Sequence, residues 1–179
     1  MRAKTLTIML AILGIFLVGE KARADVLTIS PENTAIMAAE GDDWTRVALE
    51  FDVSGMELGE GKGVLWAYLE WPIIDNSPGE KEFFAFPIVA SWSPEQATSA
   101  SGSVVRDADP VADWLLSSEL KQEIGSVLRL DLRYLVSDWG SGVRGNYGIV
   151  VAVANIPSGV LESQLGNARL VVGFGSLGD

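Results

Sequence analysis

The chain has 179 residues, 24 acidic and 13 basic, for a net charge of −11 at pH 7, and it contains no cysteine and no histidine. That length suits one domain, the acidity repels phosphate backbones and argues against nucleic acid as a partner, and the two missing residue types exclude disulfides, Ser-His-Asp and Cys-His catalysis and His-ligated zinc. Stability must then come from an apolar core alone, which a 48% hydrophobic composition supports.

Residues 1–24 read as a secretory signal peptide. Arg2 and Lys4 give a basic start, Leu6 to Val18 is apolar, and Ala22-Arg23-Ala24 is a small-x-small cleavage signal. The apolar run is shorter than the roughly 20 residues of a bilayer span; a retained N-terminal anchor is the alternative. Removal of this segment takes away Arg2, Lys4, Lys21 and Arg23 but only Glu20, so the mature chain is more acidic still. The expected product is a secreted or periplasmic domain, 25–179, with no stable membrane span.

Val26 to Ile29 is a short strand stopped by Ser30-Pro31, and Thr34 to Ala39 is a weaker strand. Arg46 to Val53 alternates cleanly, with Val47, Leu49, Phe51 and Val53 on one face. Val64 to Trp71 is a further strand, ended by Pro72. After the turn signal Asn76-Ser77-Pro78-Gly79 comes Glu82 to Ala90, in which Pro87 predicts an edge strand or a bulge. Ala97 to Ser103 reads as a loop. Asp109-Pro110 resembles a helix cap with proline at the first helical position, predicting a helix that closes at Gly125.

From Val127 the pattern sharpens. Leu128, Leu130 and Leu132 alternate with charged residues as in a half-buried strand, and Leu132, Leu135, Val136 and Trp139 then recur at helical spacing. A turn rich in glycine, Gly140 to Gly148, leads into Ile149, Val151 and Val153, which alternate again. It leads into a strand and lacks a Lys-Ser/Thr ending, so it is not a phosphate loop. Asn155 to Asn167 reads as a loop and Ala168 to Phe174 as the last strand. The expected fold is mostly β: an antiparallel β-sandwich of jelly-roll type with one or two short helices, preceded by a signal-peptide helix.

Five segments, Val47 to Ser54, Ala67 to Glu70, Ser91 to Glu95, Asp131 to Trp139 and Asn146 to Val151, together resemble the DNRLRE domain, a jelly-roll module of secreted bacterial and archaeal proteins. Val47-Ala48-Leu49-Glu50-Phe51-Asp52-Val53-Ser54 is similar to its "rsllrFDlS" strand, Ala67-Tyr68-Leu69-Glu70 to "saxLxL", and Ser91-Trp92-Ser93-Pro94-Glu95 to its "sWtE" turn. Asp131 to Trp139 resembles "DvTslVqdW", and Asn146 to Val151 resembles "NyGllL". The matches run in order over 47–153. Arg133 stands where that family has threonine, its "fySrea" segment is not recognisable in 155–167, and 109–125 looks like an insertion. The resemblance implies a non-catalytic module, often attached to polysaccharide-active or cell-surface proteins and sometimes holding structural calcium.

If Leu65, Ala67, Leu69 and Trp71 face the core, as that match implies, then Val64, Trp66, Tyr68 and Glu70 face outward. Trp66 and Tyr68 would form an aromatic strip with the Glu70 carboxylate beside it, a surface on which sugar rings stack. The alternative is that both faces of this strand are buried. Trp44, after the acidic turn Gly41-Asp42-Asp43, is a further candidate contact, whereas Trp92, Trp139 and Tyr147 are expected to pack structurally. Calcium needs six to eight oxygens; Glu32, Asn33, Asp42 and Asp43 are the candidates if their two loops meet, and a solvated acidic surface is the alternative. No spacing among Glu50, Asp52, Glu57, Glu70 and Asp75 selects a catalytic pair, so no catalytic residue is assigned and no cofactor is required. The reading is an exported carbohydrate-binding or cell-surface module whose partner is a polysaccharide or cell-envelope component. The alternative is a structural or adhesive protein that binds other protein subunits.

Overall fold

The computed structural model describes residues 24–37, 44–56, 58–72, 81–98, 104–107, 109–116 and 127–177, without the side chains of 113–116. The expected signal peptide, with the exception of Ala24, lies outside them. Among the described residues the strands are β1 (Asp25–Ile29), β2 (Asn33–Met37), β3 (Trp44–Glu50), β4 (Lys62–Pro72), β5 (Lys81–Pro87), β6 (Ala112–Leu116), β7 (Val127–Asp131), β8 (Ile149–Ala154) and β9 (Arg169–Ser176). The helices are short: α1 (Pro94–Thr98), α2 (Arg133–Gly140) and α3 (Ser158–Gln164), the last followed by a single 3-10 turn. No helix among the described residues is long and apolar enough to cross a membrane.

The strands form two antiparallel sheets, ordered β1-β9-β4-β7 and β2-β3-β8-β5-β6. Set aside β2, an added edge strand, and β1-β9-β4-β7 lies with β3-β8-β5-β6, the order that two Greek keys generate in a jelly roll. Alternation builds the core between the sheets. Val47 and Leu49 of β3, Phe83 and Ala85 of β5, and Ile149, Val151 and Val153 of β8 meet Ala67, Leu69 and Trp71 of β4 and Leu170 and Val172 of β9 in one buried cluster. The Leu128, Leu130, Leu132 series enters it from β7, and α2 adds Leu135, Val136 and Trp139 at helical spacing. Trp71 is fully buried and its indole N–H donates to the Gln164 carbonyl at 3.0 Å, so α3 is tied to the core by a satisfied polar group.

The architecture departs from the sequence expectations in four places. The stretch predicted as a helix from Asp109 opens instead into β6, antiparallel to β5, with Val111 N–H donating to the Ala85 carbonyl at 2.8 Å. The backbone of β5 needs partners on that side, and this tertiary demand outweighs a local capping signal. β5 is therefore interior, between β8 and β6, and Pro87 is tolerated because it ends the strand. Residues 94–98, partly read as loop, form α1, which buries Ala97 against the outer side of the second sheet beside Ala35, Ala48 and Val150. The stretch read as a loop from Asn155 contains α3, which buries Leu161 with Val160 and Leu165 packed against the core.

Three of the five segments that resemble the DNRLRE pattern meet at one corner, and the other two are joined by the Leu132 N–H, which donates to the Ala67 carbonyl at 2.9 Å. Asn146 Nδ2 donates to the Phe51 carbonyl at 2.6 Å, Trp92 Nε1 donates to the Tyr147 carbonyl at 2.9 Å, and Ile88 N–H donates to the Gly148 carbonyl at 3.0 Å. Gly148 has φ +89°, and its α-carbon lies against the Leu49 and Glu50 backbone. A side chain there is strained twice, by the backbone conformation and by collision with main-chain atoms that cannot swing away. Close by in sequence, Ser54 N–H donates to Asp52 Oδ1 at 2.8 Å, closing the turn that ends the Phe51-Asp52-Val53-Ser54 run.

Gly148→Ala is expected to lose about 2–4 kcal/mol of stability, read as a lower denaturant midpoint with unchanged slope. The Asp52 carboxyl is held below the ordinary carboxylate range by hydrogen bonds from the Ser54 side chain and then its backbone. An aspartate depressed in this way stabilises the fold above its unfolded pKa of about 3.9 and loses that contribution as pH falls through its folded value. Ser54→Ala should raise the Asp52 midpoint measured by NMR titration while leaving the backbone bond in place.

Candidate ligand-binding face

β4 runs through the middle of the first sheet, between β9 and β7, and its outward side chains stand in ladder register with theirs. Trp66 is opposite Gly173, Tyr68 lies between Val171 and Asp131, and Glu70 lies between Arg169 and Arg129. On the far side of β9, Val26 and Thr28 of β1 continue the first two rows and are exposed. The result is one face, four strands wide, with an aromatic pair at its centre.

The position of that pair depends on an irregularity. The β4–β9 register shifts between Val64 and Trp66, placing an extra residue, Leu65, in β4. Val64 was expected outward with Trp66; it is buried in the core, and Leu65 is half-buried. The bulge reverses the facing at one point in the strand, so that Val64 and Ala67 both serve the core while Trp66, Tyr68 and Glu70 keep the outward face.

The Trp66 and Tyr68 rings stack on one another, centroids 5.9 Å apart and planes 26° apart. Trp66 lies over Gly173: a β-carbon on that residue would fall inside the indole ring. The glycine is thus the seat for the tryptophan, as one flank of the indole rests on bare backbone. Both aromatic side chains are half-buried, neither core nor fully solvated. With Glu70, Arg129 and Val171 they line an open hollow of ≈ 370 Å³.

The polar groups are arranged around the rings. Arg129 Nη2 and Glu70 Oε1 form an ion pair at 2.8 Å directly across the β4–β7 ladder. Arg129 is largely exposed, so the pair contributes at most about 1 kcal/mol to stability, but it holds the carboxylate beside the rings through one oxygen. Arg169 Nη1 donates to the Gly166 and Ala168 carbonyls at 2.6 Å each and so is held at the end of the same row. Asp131 Oδ1 accepts from Arg133 N–H at 2.9 Å, the bond with which β7 turns into α2.

The other sequence candidates lie elsewhere. Trp44 is on β3, in the second sheet, where it packs against Phe84 with centroids 5.6 Å apart; it belongs to a different face from Trp66 and Tyr68. Asn33 Nδ2 donates to Glu50 Oε2 at 2.7 Å, and Glu32 N–H to the Glu50 carbonyl at 2.8 Å, both at one end of the β2–β3 hairpin. Asp42 and Asp43 lie outside the described residues. The chain leaves β2 at Met37 and re-enters β3 at Trp44, which is the opposite end of that hairpin. Among the described residues no group of three or more Asp or Glu side chains could hold a metal ion. Trp139 is buried, while Trp92 and Tyr147 are half-buried and pack against the outer cluster of the second sheet.

Arg129 was visible in the sequence as an outward position of β7, though nothing paired it with Glu70. Gly173 carried no signal: its role exists only because β9 lies beside β4. No protein-family model and no curated protein matches the chain.

Gly173→Ala is expected to lift the indole from the sheet. The predicted outcome is a changed near-UV circular dichroism spectrum, absent when the same substitution is made in Trp66→Phe, and a loss of about 1–3 kcal/mol from overpacking.

Proposed function

We propose that this is an exported, non-catalytic module that binds carbohydrate, with the sugar laid on the Trp66–Tyr68 pair. The supporting observation is the stacked aromatic pair on an open sheet face with a held carboxylate beside it. A pyranose presents apolar C–H faces and a rim of hydroxyls. The ring faces gain by covering aromatic surface, and the rim needs donors and acceptors at the edge of that surface. Glu70 supplies an acceptor, Arg129 donors, and Thr28 a hydroxyl across the sheet. The alternation of aromatic and polar groups favours a sugar over a protein partner, which would be better matched by a broader apolar patch.

The jelly-roll strand order is the fold that resemblance to the DNRLRE domain implies, so kinship with that family is part of this proposal, as are export by the N-terminal signal and a place at the cell surface or envelope. Binding of this kind uses surface complementarity alone and asks for no reacting group.

The test is binding of the protein to a panel of soluble and insoluble polysaccharides, with calcium and with chelator. Saturable binding to at least one glycan is expected, weakened by about tenfold or more in Trp66→Ala combined with Tyr68→Ala, with the variant shown to be folded by circular dichroism. Binding unaffected by the double substitution would move the site, and absence of binding to every glycan would overturn the reading in favour of a protein partner.

A further inference from the structure

The outward side of the second sheet is divided. One part is covered, since Ala35, Ala48, Val150, Ile88, Ala97 and Val104 form a closed outer cluster beneath α1. The other part is an open hollow of ≈ 180 Å³, lined among the described residues by Trp44, Arg46, Phe84, Phe86, Arg106 and Ala152. Its floor follows from register. Ala152 stands between Arg46 of β3 and Phe84 of β5, and as a lone methyl among larger neighbours it leaves the depth that a valine or leucine would fill. Trp44 and Phe86 flank Phe84 at centroid distances of 5.6 and 6.4 Å, tilted by 48° and 43°, so three rings make a concave wall.

The charged side chains among the described residues of this lining, Arg46 and Arg106, are both basic in a chain that is otherwise strongly acidic. The Arg106 guanidinium carbon sits 3.9 Å from the Phe86 ring centroid, close enough for cation–π attraction to set its plane. Arg106 Nη1 donates to the Asp107 carbonyl at 2.9 Å, and the Asp107 carboxylate is taken by Arg144. Burial first, and the nearby charge of Arg46 second, hold the Arg106 guanidinium below the usual arginine range. With one nitrogen given to a backbone carbonyl, the Arg106 guanidinium keeps donors to offer an anion in the hollow.

We propose that this hollow is a second binding site, separate from the Trp66–Tyr68 face, for a small aromatic carboxylate whose ring lies against Trp44, Phe84 and Phe86 and whose carboxylate meets the guanidinium of Arg106. The volume is below the roughly 300–1,000 Å³ of pockets for drug-sized ligands, which limits the occupant to about one ring with its acid group. The lining selects the ring type. Apart from the two guanidiniums the described lining residues offer hydrocarbon and aromatic surface, on which a hydroxylated ring would lose hydrogen bonds to water with little in return. The guanidinium fork matches the planar geometry of a carboxylate. The net negative charge of the chain disfavours polyanions at long range, which leaves an anion carrying a single charge.

The test titrates the protein with cinnamate and, separately, with its uncharged analogue cinnamamide, following binding by calorimetry and by shifts of the Ala152 and Phe84 NMR signals. Cinnamate should bind saturably, and cinnamamide at least about tenfold more weakly, the factor expected of a charge-assisted hydrogen bond. Arg106→Gln should weaken cinnamate by a similar factor, and Ala152→Leu, which fills the floor and leaves both arginines, should abolish binding. Trp66→Ala should leave it unchanged, so this site and the proposed sugar site succeed or fail independently. Equal affinity for acid and amide, undiminished binding to Ala152→Leu, or no saturable binding of cinnamate would overturn the proposal.

Discussion

Burial of apolar side chains between two sheets is the constraint on which this structure depends. There is no cysteine to staple it, so the inward rows of β4 and β9 must meet those of β3, β5 and β8 closely enough to carry the fold. Trp71 shows how tightly this is specified: a fully buried indole needs both a matching void and an acceptor for its N–H, and α3 provides the acceptor through Gln164. Because side chains alternate along a strand, filling the inward face also determines what every strand displays outward. The two candidate sites are in this sense by-products of the core.

The two outward faces nevertheless differ in kind, for local reasons. On the first sheet a bulge in β4 keeps Trp66 and Tyr68 on one side, and Gly173 removes the side chain that would hold the indole away. Polar residues on β7 and β9 then alternate with the rings. On the second sheet the outward neighbours of β8 are small, Ala152 and Ala154, and the rings come from β3 and β5 on either side. There the charged groups of the described lining are the guanidiniums of Arg46 and Arg106. Mixed polarity suits a hydroxylated ring; hydrocarbon with a cationic rim suits an aromatic acid.

The corner where Phe51, Trp92 and Asn146 to Gly148 meet links these faces to the core. It joins the end of β3 to the start of β8 through side-chain-to-backbone bonds, and Gly148 allows the two backbones to approach. The residues in that corner belong to three of the five segments that made the chain resemble a known jelly-roll family. Their spacing in the sequence reflects a hydrogen-bonded junction that any ligand-binding face on this scaffold would share, which is why such a pattern speaks to architecture more directly than to ligand.

The outward facing of Trp66, Tyr68 and Glu70 rests in the sequence on the family resemblance, beside the alternative that both faces of the strand are buried. By itself the sequence determined the class of fold, the alternating strand read at Arg46 to Val53 and found at Trp44–Glu50, the alternation of Leu128 and Leu130, and the helix carrying Leu135, Val136 and Trp139. Those features are periodic, and periodicity is a local property that survives without knowledge of neighbours. Tertiary structure alone decided the rest. Residues 112–116 became a strand because β5 lacked backbone partners on that side, against a local helix signal. Val64 turned inward because of a bulge defined by the register against β9. Trp44 and Trp66 fell on opposite sheets, Gly173 became the seat of an indole, and Arg106 came to rest on Phe86 through contacts between residues distant in the chain. Each of these depends on which strand lies beside which, and strand pairing is set by the packing of the whole core, so no window of the sequence contains it.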